Sequence, residues 1–264
     1  MGDAGYDGWE FRESGPSAAD HTVLLLAGAL CPAAFYDDLT AEPTLSDLRM
    51  VAATLPGFAG TPAPADLSVD ANAGYAAALA AEVTADVVVG HSLGANYVLE
   101  MAAARQFTGP VVLLSPSFSA EDEFKELKTV AKIGKLPGLG GLAWRLTVKM
   151  MPKAAGKSFP EARRDALIAG MQRNDPRFCR AIVPQYFDYL GRDQSLVDRL
   201  CRSGSKVWVA FGDHEEVGLA DDERRGLEAC PSVTLVSALD STHFVMLDQP
   251  ARCAEIILEA IRAV

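Results

Sequence analysis

Val87-Val88-Val89-Gly90-His91-Ser92-Leu93-Gly94 is an apolar β-branched run that stops at a five-residue G-x-S-x-G string, and Ala95 to Ala104 follow at once with helical composition. A serine so placed sits on a sharp strand-to-helix turn, where the flanking glycines let chain pass close by that any Cβ would block. Its backbone should be strained there. The helix start behind it offers unpaired N–H groups and a positive field for an oxyanion. Such strings also arise by chance in loops. The strand before and the helix after distinguish this one, and Ser92 is the candidate nucleophile.

Working outward, Thr22 to Leu26 reads as the first buried strand, ending at Ala27-Gly28-Ala29, and Arg49 to Leu55 as the second, ending at Pro56-Gly57. Asp86 to Val89 is the third and Val111 to Leu114 the fourth, with helical segments at Ala71 to Glu82 and Ala95 to Arg105. After Ser119 the alternation gives way to amphipathic segments containing Lys and Met. It resumes near Asp193 with a strand at Lys206 to Phe211, a helix at Asp221 to Ala229, a strand at Ser232 to Val236 and a last helix from Gln249 to Ala263. The pattern predicts an α/β fold, a mostly parallel central sheet with helices on both faces. Its core comprises 1–118 and 193–264, with a helical cap inserted at 119–192; a chain of 264 residues is long enough for one such domain.

A serine hydroxyl needs a base to attack at neutral pH. The chain has four histidines, His21, His91, His214 and His243. His21 precedes the first strand, at the wrong end of a parallel sheet, and His91 lies inside the turn, pointing away from Ser92. His243 follows the last strand and precedes the last helix, which puts it at the carboxyl edge and makes it the favoured base. The backbone N–H of Leu93, just after the nucleophile, is an expected oxyanion donor.

A formal net charge of -11 argues against nucleic-acid binding across the whole surface. Residues 119–192 are the exception, with 14 Lys plus Arg against 8 Asp plus Glu. Lys149, Lys153, Lys157, Arg163 and Arg164 either form solvated helix faces or steer an anionic substrate or an acidic carrier protein toward the cleft. The apolar residues of this segment serve cap packing and a pocket lining; Leu30 and His91 beside the nucleophile, with Trp144 and Met150 in the cap, are the candidate substrate contacts. Five scattered cysteines without CxxC spacing suggest neither disulfides nor a zinc site, and Cys31 reads as a small buried thiol. The acidic N-terminus does not read as a signal peptide and no apolar run spans a bilayer, so the expected setting is cytoplasmic, without membrane association.

Together, Leu24 to Leu30, Leu55-Pro56-Gly57-Phe58-Ala59-Gly60, Gly90 to Gly94, Phe211-Gly212-Asp213-His214-Glu215 and His243 to Pro250 resemble the α/β-hydrolase fold superfamily. The likeness is specifically to its small single-domain esterase-like branch, with a cap inserted after the sixth strand. The resemblance implies a Ser-His-acid triad with the acid three residues after the glycine that ends the seventh strand. That position is Glu215, with Asp213 and Glu216 as rivals; the superfamily more often has Asp. It also implies Ala29 as the second oxyanion donor, although Ala27-Gly28 replaces a common His-Gly. Serine at the elbow speaks against the branches that use Asp there. The expected reaction is hydrolysis of a carboxylic ester, lactone or thioester of a small, partly apolar substrate, with no metal or organic cofactor. C–C bond hydrolysis, a lyase or cyclase reaction, or ligand sensing with weak turnover are the alternatives.

Overall fold

The wholly apolar runs lie side by side in the computed structural model, which describes residues 6–214 and 217–264, with backbone alone at 237–239. Seven strands, β1 (Glu10–Ser14), β2 (Thr22–Leu26), β3 (Arg49–Thr54), β4 (Val87–His91), β5 (Val111–Leu114), β6 (Val207–Gly212) and β7 (Val233–Leu239), form one sheet. Their order is β1-β3-β2-β4-β5-β6-β7. Strands β2 to β7 pair in parallel, and β2, β4, β5 and β6 are buried at every position, as expected with helices on both faces. The first strand is a correction to the sequence reading. β1 (EFRES) pairs antiparallel with β3, mostly exposed, and its charged side chains hide the apolar signal that marks the others.

One helical layer contains α2 (Val69–Glu82) and α3 (Leu93–Ala103), joined by α8 (Leu196–Ser203) and α9 (Asp221–Glu228); the other contains α1 (Asp37–Thr40), α10 (Val245–Asp248) and α11 (Pro250–Ile261). Between β5 and β6 the chain is helical, with α4 (Lys125–Gly134), α5 (Leu139–Ala155), α6 (Arg164–Met171) and α7 (Pro176–Leu190). This segment therefore follows the fifth strand of the described chain and Gly212 closes the sixth, one fewer in each case than the resemblance implied. Ser68 and Asp175 cap α2 and α7 by accepting N–H bonds from Ala71 and Arg177. Among the described residues no helix is long and apolar enough to cross a membrane.

The helical segment is tied to the sheet by side chains. Arg163 bonds Asp37 and Asp38 at 2.8 and 2.9 Å and also the Ala34 carbonyl. Phe159 packs edge-on to Phe35 and to Phe244, and the Tyr186 hydroxyl reaches Asn96 of α3.

Candidate active site

Ser92 lies between β4 and α3 with φ 52° and ψ -122°, a conformation L-residues avoid. Strain of this kind costs about 1–3 kcal/mol and persists only where its surroundings enforce it. Here the enforcement is steric and specific. A Cβ on Gly90 would lie 2.4 Å from the Gly94 carbonyl oxygen, and one on Gly94 would lie 2.4 and 2.6 Å from the carbonyl oxygens of Ala27 and Leu26. The start of α3 is thus pressed against the end of β2. The Ser92 N–H donates to the Leu114 carbonyl at 2.8 Å, tying the turn to β5.

That same close packing brings the loop after β2 to Ser92. A Cβ on Gly28 would meet Ser92 Cβ at 3.2 Å and His91 Nδ1 at 2.7 Å, so only glycine fits. Ala29 follows, part exposed, in a turn closed by the Cys31 N–H on the Gly28 carbonyl, with Leu30 buried at φ 67°. Leu93 opens α3, and its N–H is one of the first-turn donors without an intrahelical acceptor. Ala27, not a histidine, precedes Gly28, and other side chains brace this loop. Asn174 donates to the Leu30 carbonyl at 2.8 Å while accepting the Ala59 N–H, Thr54 Oγ1 accepts from Ala33, and the Tyr36 hydroxyl donates to Leu26. Cys31 is buried, and burial pushes its thiol pKa up, which keeps it protonated.

His243 arrives from β7 on the loop before α10. Its carbonyl receives His91 Nε2 at 2.9 Å and Ser115 Oγ at 3.4 Å, so the loop is held by residues at the ends of β4 and β5. The His91 and His243 rings lie 4.8 Å apart, and Phe124 meets the His243 ring edge-on at 4.9 Å. His91 is 1% exposed. Burial, then the charge of His243, holds its pKa well below the ordinary histidine value, so it is neutral with its proton on Nε2 for that carbonyl. Thr242 adds a second brace, its N–H and hydroxyl both donating to Asp248 at 2.7 Å.

The loop after β6 runs beside this one. A Cβ on Gly212 would strike the carbonyl oxygens of Ser241 and Thr242 at 2.4 and 2.5 Å, and the His214 N–H donates to Ser241. Glu215 and Glu216 lie outside the described residues. Asp213 is exposed, and His214 pairs with Asp240 at 3.0 Å on the surface.

The cap candidates are placed differently from the sequence reading. Trp144 is buried between α4 and α5, where Gly134 leaves room for its indole, and Met150 stands 57% exposed on the outer side of α5. Arg163 and Arg164 are engaged, the first with Asp37 and Asp38, the second with the carbonyls of Gly156 and Phe159. Aromatic rings form the wall beside His243: Phe124, Phe159, Phe244 and Phe35. The sequence reading did not single out Ser115, Phe124, Phe159 or Asn174 for these roles. Asn174-Asp175-Pro176 reads locally as a helix start, which gives no hint that Asn174 reaches across to Leu30.

Comparison with known proteins agrees with this fold. The family model described as "Alpha/beta hydrolase family" matches residues 23–256. Solved structures of similar fold include an esterase from Thermogutta terrifontis with malate bound, 16% identical, with a TM-score of 0.74 over 96% of this chain and 93% of that one. An esterase from Exiguobacterium antarcticum is 14% identical, with a TM-score of 0.75 over 96% and 95%. A third, an esterase from Rhodococcus sp. ECU1013, is 19% identical, with a TM-score of 0.71 over 97% and 95%. A search of curated proteins finds no match.

Proposed function

The chain belongs to the alpha/beta hydrolase family, and from that premise we propose that it hydrolyses a carboxylic ester, lactone or thioester of a small, partly apolar substrate through an acyl-Ser92 intermediate. The observation that carries this reading is the Ser92 elbow, held at φ 52° by backbone contacts that tolerate only glycine at 90 and 94. In the reaction His243 removes the Ser92 hydroxyl proton as Oγ bonds to the substrate carbonyl carbon. The N–H groups of Leu93 and Ala29 take up the charge on the former carbonyl oxygen. Collapse breaks the bond to the alcohol or thiol, which leaves with the proton from His243, and water repeats the sequence to release the acid. An acidic residue of the loop after β6, Glu215 or Asp213, holds the His243 tautomer. Residues 119–192 serve as the lid, and the rings of Phe124, Phe159 and Phe244 favour an apolar acyl or alcohol group.

A fluorophosphonate probe tests this directly. The folded protein should be labelled at Ser92, with labelling and p-nitrophenyl ester turnover both lost in Ser92→Ala. Folded protein without labelling sinks the reading; labelling without ester turnover moves it to C–C cleavage, cyclisation or sensing.

A further inference from the structure

Of the nine large hydrophobic side chains exposed among the described residues, seven fall between Ile133 and Met151. Leu139, Leu142, Leu146 and Met150 are 59%, 56%, 54% and 57% exposed, and their spacing places them along one side of α5. Trp144, Val148 and Pro152 bury the opposite side. The stripe is about 16 Å long at the helical rise. Leu136 extends it at the turn from α4, also exposed.

Its charge setting is unlike the rest of the molecule. From Leu127 to Pro160 the sequence contains seven lysines and arginines and no Asp or Glu, in a chain whose net charge is -11. Arg145, Lys149 and Lys153 flank the stripe on α5, and Lys132 and Lys135 stand exposed at the end of α4. Arg145 also borders a groove of about 340 Å³ with Gly141, Pro176, Arg177 and Arg180, and no carboxylate lines it.

We propose that this outer face of α4 and α5 docks the protein on an anionic lipid surface, with the leucines and Met150 in the acyl boundary and the cations at lipid phosphates. A helix with apolar residues on one side and lysines at its margins is suited to an interface, where lysine stems lie along the apolar layer and their ammonium groups reach the headgroups. Each cation near such a surface adds to the attraction, which falls off within a Debye length. A second copy of the chain fits poorly, because pairing the face with itself would bring the same cations together without a carboxylate between them. The sequence reading foresaw no membrane association because it sought a spanning segment, and a surface helix needs none.

Flotation with two kinds of vesicle tests the proposal, phosphatidylcholine alone and phosphatidylcholine with about 30% phosphatidylglycerol. The intact protein should float with the anionic vesicles at least about tenfold more than with the neutral ones, and salt at about 0.5 M should weaken this. Leu142→Gln with Leu146→Gln should cut binding about tenfold, and Lys132→Glu with Lys135→Glu, both exposed at the end of α4, should erase the preference for phosphatidylglycerol. Both variants change exposed side chains and should keep wild-type circular dichroism and turnover of a water-soluble ester. Equal flotation with both vesicles overturns the proposal, as does anionic binding that ignores both substitutions. So does a dimer in sedimentation velocity that the leucine variant dissolves, or binding to purified acyl carrier protein with none to vesicles.

Discussion

Helices α3 and α5 are both rich in apolar residues, yet one is covered on all sides and the other on one. Every residue from Leu93 to Ala102 in α3 is buried, with β2, β4 and β5 on one side and α2 and α8 on the other. Its single charged residue, Glu100, is paired with Arg199 at 2.5 Å. α5 packs against α4, α6, α7 and the turn at 156–158 that follows it, so Trp144 and Val148 are hidden while Leu142 and Leu146 face out. Apolar content does not separate the two; the number of neighbours does. α3 is the fixed support of the Ser92 turn, and α5 offers a surface.

The glycines within the two helices test that contrast most sharply. Gly94→Ala places a methyl against two backbone carbonyl oxygens that cannot rotate away. It should cost about 3 kcal/mol or more in urea unfolding, with ester turnover lost along with the elbow geometry. Wild-type stability in this variant would mean that α3 is not pinned as described.

His91, on the strand that leads into α3, should have the next largest effect. Leucine there cannot donate to the His243 carbonyl, and kcat should fall about tenfold to a hundredfold with KM held within about twofold. Gln, which presents an N–H at nearly the same place, should restore most of it, whereas a role in packing alone would favour Leu over Gln. Because the folded-state pKa of His91 lies below its ordinary value of 6.5, the unfolded chain binds the proton first as pH falls. Stability from this group is full above that value and declines below it by up to about 1.4 kcal/mol per pH unit, a slope that His91→Gln should remove in denaturation series.

Gly141→Ala in α5 is the counterpart of Gly94→Ala and the smallest effect. The nearest atom to its added Cβ is Arg180 Nη1 at 3.7 Å, an ordinary contact. The helix should gain about 0.5–1 kcal/mol, seen as a rise of roughly 2–4 °C in Tm for each kcal/mol gained. Destabilisation would mean that α5 packs more closely than its contacts indicate.

The parts of this protein visible in its sequence are those whose cause is local. A buried parallel strand is apolar along nearly all of its length, so β2, β4, β5 and β6 announce themselves, and β1, charged at the sheet edge, does not. The elbow is legible because its backbone demands glycine at 90 and 94, a requirement written in five adjacent letters. His243 stands out among four histidines as the candidate base by its place between the last strand and the last helix. The acid rested on resemblance, since register after Gly212 leaves neighbouring carboxylates as equals.

What only the tertiary structure decided depends on pairs far apart in the chain. Asn174 bracing Leu30, 144 residues away, and His91 holding the His243 carbonyl, 152 residues away, leave no periodic or compositional trace in either partner. Exposure is decided in the same way. Trp144 and Leu146 are two residues apart with similar apolar character, and only the packing of α5 against α4 and α7 hides the first and leaves the second in solvent. A residue's chemistry is intrinsic to the sequence, but what covers it is a property of the assembled fold, because burial depends on neighbours brought in from elsewhere along the chain.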